Sequence, residues 1–163
     1  HSRGALVPRA LTFTNAESAL LDLEDLNAGL FNPFHLLIAD RHSAGIGWSD
    51  GRRVHRAPVE PGMHVLTERS FGASFRSRED NLRHALVLAD SPDALTPLLQ
   101  TRPSAKAAGA RIDIEEFNYG TRSSTLVRMS EDGSFRIQHA MGPPDEANYE
   151  EVTWANMPVR PAP

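Results

Sequence analysis

Residues 123–139 read SSTLVRMSEDGSFRIQH, and this stretch decides the class of fold that we predict. Two partly apolar runs, Ser123–Met129 and Ser134–His139, flank the dipeptide Asp132-Gly133. Asp-Gly between such runs is a typical hairpin signal, because glycine tolerates the positive φ that a tight turn requires. The stretch therefore predicts two antiparallel strands.

The second run alternates between apolar and polar residues. Phe135, Ile137 and His139 point one way, and Arg136 and Gln138 point the other. A period of two is typical of a strand with one face in the core and one face in water. We therefore expect the face with Phe135 to be buried.

Four more strands are predicted in the first half of the chain, as a meander. Phe34–Ala39 is apolar enough to be buried on both faces. Ala44–Ser49 and Arg52–Ala57 follow, joined by a second hairpin signal at Asp50-Gly51. Met63–Thr67 is predicted to be the fourth strand of this group.

Three helices are predicted around these strands. Residues 14–17 read Thr-Asn-Ala-Glu, a capping box that opens a helix over 16–27. Apolar residues at helical spacing predict a second helix over 77–89, and Ser91-Pro92 is typical of the start of a third. Clustered strands and clustered helices favour an α+β fold with antiparallel sheet.

Length and charge limit the classes of function. The 163 residues suffice for one domain, which we expect over 1–157, and the Pro-rich tail 158–163 is expected to be disordered. The net charge is −4 and no basic block is present, which argues against nucleic-acid binding. No apolar run approaches eighteen residues, so we expect no membrane span.

The amino-acid usage also leads to expectations about cofactors and about the location of the protein in the cell. The chain has no cysteine, and its seven histidines are scattered singly, so we predict neither a metal site nor a cofactor. Lys106 is the only lysine, and this preference for arginine is typical of a GC-rich, bacterial genome. No signal-peptide pattern is visible, so we expect a cytoplasmic protein, although His1 is not a natural start and a leader could precede it.

The segment 119–125, YGTRSST, is the candidate functional site. Gly120 suits a sharp turn, and the guanidinium of Arg122 suits a carboxylate, a phosphate or a developing oxyanion. Arg122 is the catalytic candidate, and the candidates for substrate binding in this segment are Tyr119, Thr121, Ser123 and Ser124. The alternative is a strand that begins at a turn, with Arg122 salt-bridged at the surface, Tyr119 packed and the hydroxyls bonded to backbone.

Three motifs together resemble the NRDE-motif family, also called the Transport and Golgi organisation 2 family. They are Ser2-Arg3-Gly4 with Leu6-Val7, the segment 61–67 (PGMHVLT), and YGTRSST. The resemblance implies an N-terminal nucleophile hydrolase-like fold, which is a four-layer αββα sandwich of antiparallel sheets.

The resemblance also implies a reaction, the hydrolysis of a small amide, acyl or lipid-like substrate. In this fold the first residue attacks a carbonyl, and the family has a cysteine there, followed by an Asn-Arg-Asp-Glu motif. Neither is present in this sequence. We therefore expect the sandwich to be incomplete at the N-terminus. The missing segment or a homo-oligomer contact would cover the exposed sheet.

Residues 68 and 69 depart from the pattern of related amide hydrolases. Those enzymes have an asparagine after the sequence that resembles Val65-Leu66-Thr67, and its amide helps to hold the oxyanion. Here Glu68 follows, and a carboxylate repels an oxyanion. We take Glu68 and Arg69 as residues that line the substrate pocket. The alternative is an exposed loop pair.

Two other functions remain open. The first is a non-enzymatic carrier of lipid, acyl-CoA or haem on the same scaffold, which the resemblance also implies. The second is an interaction domain in which Arg52, Arg53 and Arg56 form a docking edge.

Overall fold

The computed structural model describes residues 1–67, 77–87, 94–102 and 109–153. Within these ranges the chain is α+β, with four α-helices and three small antiparallel sheets. The chain divides into two compact units, His1–Gly62 and Met63–Pro163.

The helices and strands fall in the following order. The helices are α1 (Leu6–Ala10), α2 (Ala16–Glu24), α3 (Ser77–Val87) and α4 (Leu95–Leu99). The strands are β1 (Phe34–Ala39), β2 (Ala44–Ser49), β3 (Val54–Pro58), β4 (Asp113–Ile114), β5 (Tyr119–Gly120), β6 (Ser123–Met129), β7 (Phe135–Met141) and β8 (Glu150–Glu151). The sheets have the orders β1-β2-β3, β4-β5 and β6-β7-β8.

Helix α2 begins with two caps. The side chain of Asn15 accepts a hydrogen bond from the Ser18 amide at 2.8 Å, and Asp40 accepts one from the Ala16 amide at 2.7 Å. The predicted capping box was therefore wrong by one residue, because Asn15 is the N-cap. Asp40 lies in the β1-β2 turn, so its bond ties the helix to the sheet.

Two glycines of β2 let α2 approach the sheet closely. A Cβ added to Gly47 would lie 2.7 Å from Cδ1 of Leu23, and one added to Gly45 would collide with Leu20. Leu23 is fully buried as a result. The core of this unit consists of Leu6, Leu20, Leu23, Ala28, Phe34 and Val54.

The β2-β3 hairpin has a four-residue loop in place of the two-residue turn that we predicted. Asp50 accepts hydrogen bonds from the amides of Arg52 and Arg53, at 2.8 and 2.9 Å. Arg56 lies on β3 and pairs with Glu24 of α2 at 2.8 Å. Arg56 is therefore not an unpaired cation of a docking edge.

Two predictions for the meander were wrong. Met63–Thr67 belongs to no strand, and Met63 and Leu66 are 51% and 42% exposed. Strand β1 is not buried on both faces, because Leu37 is 59% exposed. An apolar run becomes a buried strand only where a partner strand and a covering layer are available.

In the second unit the long hairpin forms as predicted, but its buried face is the opposite one. Strand β6 pairs with β7 along its whole length, with Leu126 opposite Gln138 and Ser124 opposite Ala140. Leu126 and Ala140 are buried, whereas Phe135 is 48% exposed. The prediction that Phe135 faces the core was therefore wrong.

The two helices of the second unit match the predicted ones within the described residues. Helix α3 covers Ser77–Val87, and α4 covers Leu95–Leu99. The predicted start at Ser91-Pro92 and the tail 158–163 lie outside the described residues. In the part of the chain that the structure describes, no helix has the length and apolar character to cross a membrane.

Candidate functional site

The β4-β5 hairpin positions the Tyr119–Arg122 segment. Asp113 pairs with Gly120, and Ile114 pairs with Tyr119. Asn118 has a left-handed φ of 45°, which reverses the chain between the two strands. A Cβ added to Gly120 would lie 2.9 Å from the carbonyl oxygen of Ile112, so the strands approach closely because this position is glycine.

Thr121 extends this short ladder beyond the strands. Its amide donates to the carbonyl oxygen of Ile112 at 2.9 Å, and its hydroxyl oxygen accepts from the Ile112 amide at 2.9 Å. Two bonds to a single residue fix the backbone that carries the next side chain, Arg122.

A cavity of about 560 Å³ lies beside this hairpin. Its wall comprises Arg111–Glu115, Asn118–Arg122, Gly142 and Pro143. The volume is within the range of small-molecule sites, about 300–1,000 Å³. Charged side chains of both signs line it, so the cavity suits a polar ligand.

Arg122 lines the cavity with an exposed side chain. Among the residues that the structure describes, no carboxylate forms an ion pair with it. The alternative in which Arg122 is salt-bridged at the surface is thus not seen among these residues. A solvated guanidinium at a cavity wall remains available to an anionic ligand.

Arg111 lines the same cavity but is only 8% exposed. Its guanidinium donates to Asp145 at 2.6 and 2.7 Å, to Glu146 at 3.0 Å and to Asp113 at 2.9 Å. Burial acts to lower the pKa of Arg111, but the hydrogen bonds to Asp145 and Glu146 outweigh it and the pKa is raised. Arg111 is therefore a fixed cation that organises three carboxylates.

Asp145 joins this network to the turn that forms the opposite wall. Burial acts to raise the pKa of Asp145, but hydrogen bonds from Arg102 and Arg111 outweigh it and the pKa is lowered. Backbone bonds from the amides of Glu146 and Ala147 to the Pro143 carbonyl, both 2.9 Å, close the turn. The network therefore holds Gly142 and Pro143 in place against the hairpin.

The cavity brings together only part of the predicted site. Tyr119, Thr121 and Arg122 line it, whereas Ser123 and Ser124 are not among the lining residues. Ser124 instead accepts a hydrogen bond from the Tyr149 hydroxyl at 2.7 Å. Glu68 and Arg69 lie outside the described residues.

Tyr119 is not packed, so the alternative that the sequence offered for it is wrong. It is 62% exposed, on the two-stranded ribbon that β4 and β5 form. Its ring is therefore available at the cavity wall. Strand β6, which follows Arg122, lies at one edge of its sheet.

Sequence reasoning missed the residues that share the cavity with Arg122. These are Arg111, Asp113, Glu115 and Asn118. The segment 111–115 reads RIDIE, and its alternation of charged and apolar residues is the signal that could have indicated a charged strand face. No local signal indicated that this face would lie beside Arg122, because the pairing of Asp113 with Gly120 is a tertiary fact.

Within the described ranges, no group of three or more histidine, aspartate or glutamate side chains is arranged to hold a metal ion. Comparisons of the chain with protein-family models, with curated proteins and with solved structures found no match.

Proposed function

We propose that the chain belongs to the NRDE-motif family and contributes a substrate pocket to an N-terminal nucleophile type of amide or acyl hydrolase. The observation that carries the proposal is the position of Arg122. Its guanidinium, which forms no ion pair with any carboxylate that the structure describes, lines a ligand-sized cavity in the segment whose sequence resembles the family motif. In this role Arg122 orients a substrate carboxylate or stabilises the oxyanion.

A comparison within the cavity supports this role. Arg111 and Arg122 both line the wall, but both terminal nitrogens of the buried Arg111 are already bonded to Asp113, Asp145 and Glu146. A guanidinium that already binds three carboxylates has little capacity left for a fourth. Arg122 has that capacity, since a bidentate arginine–carboxylate contact needs an open guanidinium edge.

The proposal assigns binding and orientation to these residues, and not the attack. The chain has no cysteine, and the hydroxyl of Thr121 is already bonded to the Ile112 amide. The nucleophile is therefore left to residues other than those that line this cavity. We further propose that Glu68 and Arg69 complete the pocket.

We also propose that the sheets belong to a four-layer αββα sandwich. One face of the β6-β7 hairpin exposes large apolar side chains, namely Val127, Met129, Phe135 and Met141. Stacked sheets pack through such faces at about 10 Å. A second sheet layer would remove these side chains from water, which supports the sandwich.

Hydrolysis kinetics test the enzymatic proposal. The protein, expressed as its gene encodes it, is assayed on a panel of N-acyl amino acids and other small carboxylate-bearing amides. We expect Arg122→Gln to lower kcat/KM by about 10²-fold, the typical loss when one oxyanion or carboxylate donor is removed. The matched control is Arg136→Gln, because Arg136 is exposed and lies outside the cavity wall.

Equal kcat/KM values for the wild type and Arg122→Gln would overturn the assignment of Arg122. If none of the amides in the panel is hydrolysed, the proposal that the protein is an amide hydrolase is wrong.

The carrier alternative has one observation in its favour. Among the described residues, the cavity wall has no thiol, and the Thr121 hydroxyl is already bonded to the Ile112 amide. A wall of this kind suits a protein that binds a ligand without reacting with it. Titration with acyl-CoA and with haem would separate the two functions. Saturable binding of either, together with no turnover of any amide, would favour the carrier.

A further inference from the structure

The cavity wall carries a negative charge on β4 and a positive charge just beyond the end of β5. Asp113 lies on β4, directly opposite Gly120 of β5. Arg122 follows Gly120 by two residues, and alternate residues of a strand share a face. The bond between the Thr121 amide and the Ile112 carbonyl continues the ladder toward Arg122. Arg122 lies beyond the end of β5, but this register, continued by two residues, places it on the face that carries Asp113, and both residues line the cavity.

The spacing of these two residues suits a small ligand. Residues rise by about 3.3 Å along a strand and strands lie about 4.8 Å apart, so their α-carbons are roughly 8 Å apart. Gly120 stands opposite Asp113 and contributes no side chain to the wall, while the Arg111 guanidinium, which lines the same cavity, donates to Asp113 at 2.9 Å. A molecule with two charged groups on one carbon can reach both side chains.

The carboxylate of Asp113 is oriented by Arg111 and can accept a hydrogen bond from a cationic group. Its Oδ2 accepts from Arg111 at 2.9 Å, and Arg111 is fixed in turn by Asp145. Its Oδ1 has no hydrogen-bond partner among the described residues, and the side chain is 39% exposed. A carboxylate oriented by a buried guanidinium, with one oxygen open to the cavity, is a suitable acceptor for an ammonium group.

We propose that this cavity binds the head group of a free α-amino acid. Arg122 receives the α-carboxylate and Asp113 Oδ1 receives the α-ammonium, while Glu115 on the same wall adds negative potential at the ammonium end. The inference rests on the proposed function and narrows it. The substrates are small amides that carry an unmodified α-amino-acid group, with the scissile bond in their side chain.

Binding by the 163-residue chain tests the inference without requiring turnover. The probes are L-glutamine and L-asparagine, each compared with the analogue that lacks the α-amino group and the analogue that lacks the α-carboxylate. Affinities are measured by calorimetry and by NMR shifts of the Asp113 and Gly120 amides. We expect each analogue of the probe that binds to bind about tenfold more weakly, the loss typical of one charged hydrogen bond.

Two variants assign each charge to its partner. Asp113→Asn is expected to remove the preference for the α-amino group and to leave the affinity of the des-amino analogue unchanged. Arg122→Gln is expected to remove the preference for the α-carboxylate. The matched controls are Glu116→Gln and Arg136→Gln, two exposed positions outside the cavity wall. Because each variant is judged by its ratio of two ligands, a general loss of stability does not imitate the result.

The outcomes separate this inference from the proposed function. If the des-amino analogues bind as tightly as the parent amino acids and Arg122→Gln weakens both, the ammonium contact is wrong and the carboxylate contact stands. If neither amino acid binds saturably up to its solubility limit, the inference is wrong. If N-acyl amino acids also fail to bind, the role of Arg122 in the proposed function fails with it.

Discussion

In the His1–Gly62 unit, the α2 helix lies on two glycines of β2 and fully buries Leu23. In the Met63–Pro163 unit, the wall of the cavity buries Arg111 with a set of carboxylates, while Phe135 and Met141 remain exposed. The first unit has an ordinary apolar core. In the second unit, an ion-pair network around the buried Arg111 sets the local structure, and one apolar face of the β6-β7 hairpin is largely exposed.

The difference between the two units shows that an apolar side chain is buried only where another layer covers its face. Alternation marks which residues share a face, but not which face another layer covers. The first unit has α2 as that layer, and its apolar residues are inside. In the β6-β7 hairpin the covered face holds Leu126 and Ala140, and the richer apolar face is the open one.

The largest expected effect is in the first unit. Leu23→Ala leaves a void between α2 and Gly47 that neighbouring groups cannot fill, so we expect a loss of about 2–5 kcal/mol in the free energy of unfolding. Urea denaturation measures it, and amide exchange in β2 reports this unit specifically. Leu21→Ala on the same helix is the control, since Leu21 is 46% exposed. Equal losses for the two variants would contradict the packing described here.

A neighbouring pair on β6 tests which face of the hairpin is buried. Leu126 is 8% exposed and Val127 is 61% exposed. We expect Leu126→Ala to cost about 2–3 kcal/mol and Val127→Ala to cost under about 1 kcal/mol. Amide exchange in β7 and thermal unfolding provide the measurements. If Val127→Ala cost more stability than Leu126→Ala, the buried face would be the one that the sequence predicted, with Phe135 and Val127.

The polar network of the second unit is tested with Arg111→Gln. The change removes the buried cation that Asp145 and Asp113 share, so Asp113 loses its ion pair and Asp145 keeps only Arg102 among the described residues. We expect Tm to fall by several degrees and exchange at Gly120 to accelerate. Arg136→Gln serves as the comparison, because its contact with Glu151 is exposed and 3.4 Å long. If both variants melt at the wild-type temperature, the network does not hold the cavity wall.

The smallest effect concerns Asp40, which links the β1-β2 turn to α2. Amides of Ala16, His42 and Ser43 donate to this carboxylate and lower its pKa to about 2. A pKa that is lower in the folded state stabilises the fold at pH values above the unfolded pKa, about 3.9. This contribution is lost as the pH falls toward 2.

We therefore expect Asp40→Asn to be less stable than the wild type at pH 7, and the difference to disappear between pH 4 and pH 2. Urea midpoints measured across this range check it, with Glu131→Gln in the Asp132 turn as the control. A difference that stays constant with pH would show that the charge of Asp40 does not matter.

The sequence by itself determined much of the local structure. The positions of the two Asp-Gly hairpins, the helical spacing of α2 and α3, and the β6-β7 pairing follow from backbone preferences and periodicity, which act over a few residues, although the β2-β3 loop is longer than predicted. The same reasoning singled out Arg122, because its guanidinium suits a carboxylate, a phosphate or an oxyanion and follows a glycine that suits a sharp turn.

Only the tertiary structure decided the rest. It removed Met63–Thr67 from the strands, selected the Ala140 face of the hairpin for burial, and set Asp113 across from Gly120. Each of these outcomes depends on contacts between residues that are distant in the chain. Local propensity cannot supply them, because burial and ion pairing are free energies of the assembled surroundings and not of the residue alone.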